Sequence, residues 1–178
     1  MSANTSGGAG PYAVISTSAG EITAELFPTS APKTVANFIS LANIGFFNGL
    51  VWHRIVKGFV IQTGDPLTKN GDRDRRRWGT GGSSQTVPLE ISSLRNDTGT
   101  LGMARSQHPN SGSSQFYINL SDNAFLNGQY TVFGKIISGL EVAKKIAELP
   151  VDSSTQQPLA HADAVVTGIT IRDTPGKA

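Results

Sequence analysis

From residue 12 onward the apolar positions alternate with period two. Ala13-Val14-Ile15-Ser16-Thr17 and Glu21-Ile22-Thr23-Ala24-Glu25-Leu26 are separated by Ser18-Ala19-Gly20. In the second run Ile22, Ala24 and Leu26 share one face while Thr23 and Glu25 share the other, the pattern of a half-buried strand. The two runs predict a hairpin. The period then lengthens: Val35, Phe38, Ile39 and Ala42 fall at i, i+3, i+4 and i+7. That stripe predicts a helix with Thr29 or Ser30 as cap, Pro32 in its first turn and a stop at Gly45. Residues 51–56 and 59–63, β-branched and aromatic and joined by Lys57-Gly58, predict a second hairpin.

Further strands are predicted at 87–91, 100–104, 115–120 and 132–137. Ser138-Gly139-Leu140-Glu141 has capping-box spacing, with Ser at the N-cap and Glu three residues on. It opens a predicted helix that turns Val142, Ile146 and Leu149 inward and stops at Pro150. Val165, Thr167, Ile169 and Ile171 alternate as a last strand. About eight short strands and two helices, with no strand–helix–strand rhythm, predict a mainly β fold and favour an antiparallel barrel over a sandwich.

Composition narrows this picture. The 178 residues are 38% hydrophobic, enough for one core, and only 16% charged, against roughly 25% in an average soluble domain. Gly 20 and Pro 9 suit a turn-rich fold. With Cys 0, disulfide scaffolds, thiol catalysis and cysteine zinc sites are excluded. No apolar run approaches the roughly 18 residues a spanning helix needs, so no membrane is expected as partner. Residues 1–11 lack the basic and apolar parts of a signal peptide and read as a flexible leader. The domain is expected over 12–172, a flexible tail over 173–178, and a cytoplasmic location. The net charge of +2 is uneven. Lys69, Arg73, Arg75, Arg76 and Arg77 face only Asp72 and Asp74, a local +3, inside an irregular stretch from 64 to 85. Connections of that length are usually functional. With no interleaved aromatic beyond Trp78, a solvated loop is favoured over a nucleic-acid site.

Three features carry candidate chemistry. His53 and Arg54 are neighbours in a predicted strand, so one of them points towards the interior or a cleft. In 115–120, Phe116, Ile118 and Leu120 form an apolar face, and Gln115, Tyr117 and Asn119 an amide-and-aromatic face that suits a peptide. Val60 and Gln62 repeat that pairing, and Phe125-Leu126 place large apolar groups in a loop. Other chemistries fit poorly. His53, His108 and His161 lack partners at metal spacing. No Gly-x-Ser-x-Gly elbow is present, and Gly79-Thr80-Gly81-Gly82 lacks the Lys-Ser/Thr of a phosphate loop.

The run Trp52-His53-Arg54-Ile55-Val56-Lys57-Gly58-Phe59-Val60-Ile61-Gln62-Thr63-Gly64-Asp65 resembles the signature of the cyclophilins, peptidyl-prolyl cis–trans isomerases. Gly79-Thr80-Gly81-Gly82, Gly102-Met103-Ala104, Ser114-Gln115-Phe116-Tyr117-Ile118 and Val132-Phe133-Gly134-Lys135 follow in family order. The resemblance covers nearly all of 12–172 and implies a closed eight-stranded antiparallel barrel with a helix over each end. It also implies a catalytic set of Arg54, Phe59 and Gln62. The implied proline pocket is Phe59, Val60, Tyr117, Phe125, Leu126 and Tyr130. The implied peptide groove is His53, Gln62, Gly79, Ala104, Arg105, Ser106 and Gln115. The implied activity is rotation about X-Pro bonds in peptides and folding proteins, with no cofactor and no metal; a monomer is expected, because no exposed apolar stripe demands a partner.

Met103-Ala104-Arg105 is similar to prokaryotic members. Phe125 stands where many members carry Trp, which weakens the expected binding of cyclosporin. Tyr130 stands in place of His, Val60 of Met and Tyr117 of Phe, and 70–78 reads as an insertion beside the groove. A module that only docks proline segments is the lower-ranked alternative, because such a module would normally have lost the arginine kept here as Arg54.

Overall fold

The computed structural model describes residues 10–175, so most of the expected leader and part of the expected tail lie outside the described residues. The first hairpin forms where the alternation places it. β1 (Tyr12–Thr17) runs antiparallel to β2 (Gly20–Leu26) with Ala13 opposite Ala24 and Ile15 opposite Ile22. Ile22, Ala24 and Leu26 are fully buried. α1 (Pro32–Asn43) buries Val35, Phe38 and Ala42, and Gly45 at φ +74 ends the turn beyond it.

Its cap differs from expectation. Neither Thr29 nor Ser30 serves; the N-cap is Ala31, with no side-chain bond. Glu90 takes the role from across the molecule, accepting the backbone N–H of Lys33 at 3.1 Å and of Thr34 at 2.7 Å, and the Thr34 hydroxyl at 2.7 Å. A carboxylate at a helix N-terminus satisfies orphan donors and the helix dipole together, which a hydroxyl cap cannot match.

The second hairpin is interrupted. β3 (Leu50–Val51) pairs with the last strand, β9 (Val165–Arg172), while β4 (Arg54–Val56) pairs with β5 (Val60–Thr63). Trp52 and His53 stand between the two ladders. β6 (Thr100–Met103), β7 (Phe116–Asn119) and β8 (Val132–Ser138) complete one antiparallel sheet of nine strands, ordered β3-β9-β1-β2-β8-β6-β7-β5-β4. Its end strands β3 and β4 are consecutive in the chain but share no ladder. The hydrogen-bonded order is therefore an open half-barrel of nine strands, where a closed barrel of eight was expected.

Residues 87–91 form no strand, only a single bridge between Val87 and Gly112. Side chains take the N–H groups a ladder would use: Asn110 Oδ1 accepts from Leu89 and Thr131 Oγ1 from Glu90. The expected capping box is also absent. Ser138 is the last residue of β8, and α2 (Leu140–Ala147) starts from Gly139 in the left-handed region at φ +95. A Cβ there would strike the backbone of Glu21 and Ile22. Val142 and Ile146 are buried, as expected, and Leu149 packs on the core from just past the helix end.

The core lies between the sheet and the two helices, with Val142, Ala143, Ile146 and Ala147 of α2 part of it. The Phe38 ring sits 5.3 Å from Phe47, 5.4 Å from Phe116 and 5.3 Å from Phe133. Four adjacent strands contribute the row Ile55, Ile61, Ile118 and Leu101, register partners that are all almost fully buried. Successive residues of a strand face opposite sides, so this inner row fixes what the outer row displays.

Candidate active site

The outer row is Arg54, Gln62, Tyr117 and Gly102, opposite one another across β4, β5, β7 and β6. Each is one residue from a member of the buried isoleucine–leucine row, so burial of the inner row sets the aim of all four. Gly102 matters here because a Cβ would enter the Tyr117 ring; its absence lets that ring lie flat along β6. His53 escapes the alternation. It stands in the gap between ladders and turns inward, only 4% exposed, beside Arg54 rather than opposite to it.

Two adjoining cavities open over this row. The first, about 480 Å³, is lined by His53, Arg54, Phe59, Val60, Gln62, Gly79, Ala104, Arg105, Tyr117, Phe125, Leu126 and Tyr130, together with Trp78, Thr155, Gln156 and Gln157. The second, about 380 Å³, shares Gln62, Gly79, Ala104 and Arg105 and adds Ser106, Gln115 and the glycine-rich 80–82 segment. The structure thus brings every residue of the expected catalytic set, pocket and groove to one continuous cleft. Asn119, expected on the same face as Tyr117, is not in it. It is wholly buried and donates to Asn96 Oδ1 at 3.1 Å and Thr100 Oγ1 at 2.9 Å.

The apolar end of the cleft is built by rings. Phe125, 70% exposed in a short turn at Ala124–Leu126, stacks on Phe59 at 5.6 Å and 24°. Tyr130 meets Tyr117 edge-on at 5.9 Å, and the Arg105 guanidinium covers Tyr130 at 4.8 Å. The Tyr117 hydroxyl donates to buried Asn96 Oδ1 at 2.7 Å, and burial pushes its pKa well above the usual phenol range. It is a fixed neutral group.

The polar end is a chain of amides. Gln62 Nε2 donates to Gln115 Oε1 at 2.9 Å, and Gln115 Nε2 donates to the carbonyls of Gly79 at 3.0 Å and Gly81 at 2.7 Å. Asp65, wholly buried, clamps the same glycine-rich segment by accepting the N–H groups of Leu67, Gly79 and Gly81. Arg54 lies between the two ends. Its guanidinium carbon is 5.6 Å from the Phe59 centroid, and its Nε donates to Gln156 Oε1 at 3.0 Å. No described residue accepts from its terminal nitrogens.

Burial holds the His53 imidazole below its ordinary pKa, with the Arg54 guanidinium adding to the effect and the Asp65 carboxylate opposing it. Neither ring nitrogen has a partner among the described residues, and neither does the indole N–H of Trp78. Among the described residues the cleft therefore presents a guanidinium, that of Arg54, open at both terminal nitrogens, together with a neutral imidazole and an apolar floor. Trp78, Thr155, Gln156, Gln157 and the Asp65 clamp escaped the sequence reading. All act from irregular loops, where no periodicity marks which side chain turns inward.

The chain is also similar to known proteins. Residues 12–171 match the family model for cyclophilin type peptidyl-prolyl cis-trans isomerases. A probable peptidyl-prolyl cis-trans isomerase of Brucella suis is 48% identical over 130 residues, which are 71% of this chain and 66% of that protein's length. A peptidyl-prolyl cis-trans isomerase-like 3 protein of Gallus gallus is 39% identical over 89% of this chain and 94% of its own. The crystal structure of a cyclophilin type isomerase from Cryptosporidium parvum superposes with a TM-score of 0.82 at 32% identity, covering 93% of this chain and 99% of the other. A second structure of that protein, in the presence of the dipeptide Ala-Pro, gives 0.80 at 34% identity and covers 90% and 98%.

Proposed function

The chain belongs to the cyclophilin-type peptidyl-prolyl cis–trans isomerases, and on that premise we propose that it catalyses rotation about X-Pro bonds in peptides and folding proteins. The observation that carries this reading is the placement of the Arg54 guanidinium, held at Nε and open at its terminal nitrogens, beside the apolar floor of Phe59, Val60, Phe125 and Leu126. The Cryptosporidium relative, solved with Ala-Pro present, supports a proline substrate.

The barrier to be lowered is roughly 18–20 kcal/mol, because amide resonance must be broken; uncatalysed, the exchange takes tens of seconds or more. In the twisted state the imide nitrogen becomes pyramidal and recovers its lone pair. A guanidinium aimed at that nitrogen stabilises the twisted state and not the planar one, which is the condition for catalysis. The pyrrolidine ring packs on the Phe59–Phe125 floor, which excludes water and holds one side of the bond while the other rotates. Gln62 offers its Oε1 and remaining N–H to the backbone of the substrate, Gln115 holds Gln62 in place and keeps only Oε1 towards the groove, and Ala104-Arg105-Ser106 lie along the substrate's path. A neutral His53 adds no charge to compete with Arg54.

The test is exchange spectroscopy on a short neutral X-Pro peptide. Catalytic amounts of protein should raise the cis–trans exchange rate far above that of buffer; a rate equal to buffer overturns the reading.

A further inference from the structure

The basic segment beside the cleft does not behave as a loose loop. Arg75 pins it: its terminal nitrogens donate to the carbonyls of Pro158 at 2.7 Å and Leu159 at 3.5 Å, and its guanidinium covers the Trp78 ring at 4.7 Å. Gln157 Nε2 donates to the Arg75 carbonyl at 2.9 Å. Trp78 is itself buried and lines the first cavity, Gly79 lines both, and Thr80 lines the second while its hydroxyl donates to the Arg77 carbonyl at 2.6 Å. The single turn Arg75–Arg77 is therefore a rigid mount at the junction of the two cavities.

On that mount Arg76 and Arg77 are exposed, as is Arg73 just before it. Arg73 and Arg77 form no ion pair with any described residue, and Arg76 has only a 3.5 Å contact with Asp74. The Arg77 Cα is two residues from that of Gly79, at most about 7 Å along the chain, so its side chain starts from the edge of the cleft. No Asp or Glu lines either cavity, whereas Arg54 and Arg105 do. A peptide laid across both cavities meets only neutral or positive groups.

We propose that this rim is a specificity surface for acidic polypeptide segments: proline-containing substrates bearing Asp or Glu in the residues flanking the proline, read by Arg76 and Arg77 with Arg73 as support. The proposal deepens the isomerase reading and rests on it for the orientation of the chain across the cleft. Exposed charges in such a place steer encounter and select partners more than they add contact energy. The neighbouring carboxylates Asp72 and Asp74 lower the charge of the rim but do not cancel it, since the segment 69–77 keeps a net +3 with both of them counted.

The experiment compares two peptides of identical core sequence, one with neutral flanks and one with Asp or Glu at the flanking positions, on the full chain and on R76E/R77E. Affinity is read by chemical-shift titration and turnover by exchange spectroscopy. The acidic peptide should bind about fivefold more tightly than the neutral one at low salt, and the advantage should vanish at high salt. In R76E/R77E the ratio of acidic to neutral affinity should fall to about one or below. Equal affinities for the two peptides in the unsubstituted chain overturn the proposal. So does salt-dependent retention of a single-stranded oligonucleotide without any preference between the peptides. Failure of exchange with the titration preference intact would overturn the isomerase reading and leave the specificity surface standing.

Discussion

Gln156 sits at φ +63, a left-handed backbone that costs a non-glycine residue roughly 1–2 kcal/mol, and from there its side-chain Oε1 accepts from Arg54 Nε at 3.0 Å. The bond leaves the guanidinium one orientation instead of several. Gln156 is a positioning residue in this account. Gln156→Ala should lower kcat about tenfold with KM nearly unchanged, because the substrate contacts remain; a rise in KM at constant kcat would show that Gln156 only binds. His53 carries a second residue-scale expectation. Its pKa is depressed below the ordinary value of 6.5 by burial, so the unfolded chain takes up a proton that the folded chain refuses. Stability is present above pH 6.5 and lost as pH falls through the folded-state value. Urea midpoints between pH 7.5 and 5 should fall more steeply for the natural chain than for His53→Gln; parallel curves would contradict this. The pair His53-Arg54 also shows the reach of period-two reasoning. Alternation predicted that one of the two points towards the interior or a cleft, but both line the cleft, because the ladder is broken at Trp52 and His53.

At the scale of elements, the strands positioned the site legibly. The inner row Ile55, Ile61, Ile118 and Leu101 is readable from apolar alternation, and the outer row Arg54, Gln62, Tyr117 and Gly102 follows from it by one residue. The ends of elements were less legible. Ser138 looked like a cap and is a strand residue, while the cap of α1 is Glu90, far away in sequence. Long-range side-chain bonds leave no local pattern, and the run 87–91 lost its ladder to Asn110 and Thr131 for the same reason. The Asp65 clamp belongs here too: it ties the end of β5 to the 79–81 segment of the cleft. Asp65→Ala strands three backbone N–H groups and should cost about 3–5 kcal/mol. Thermal unfolding should show a fall in midpoint of many degrees, whereas a shift within a degree or two would mean that the clamp is replaceable.

The molecule as a whole spends its low charge, 16% of residues, unevenly. A sheet of nine short strands needs many turns, which accounts for Gly 20 and Pro 9, and a cleft lined with amides and rings suits recognition of proline shape and backbone rather than of charge. The local +3 at 69–77 stands apart from that surface on the rim. Topology was the limit of the sequence reading at this scale. Strand existence was legible, but the splitting of one predicted strand into β3 and β4, which end the sheet on opposite sides, depends on where Trp52 and His53 pack.

In the proposed mechanism the Arg54 guanidinium stabilises the twisted imide. The most direct test is the exchange rate of a bound neutral X-Pro peptide in the natural chain and in Arg54→Ala, with peptide affinity measured on the same samples. Arg54→Ala should lower kcat about a hundredfold or more, with affinity changed far less. An Arg54→Ala chain that exchanges its bound peptide as fast as the natural one would contradict it.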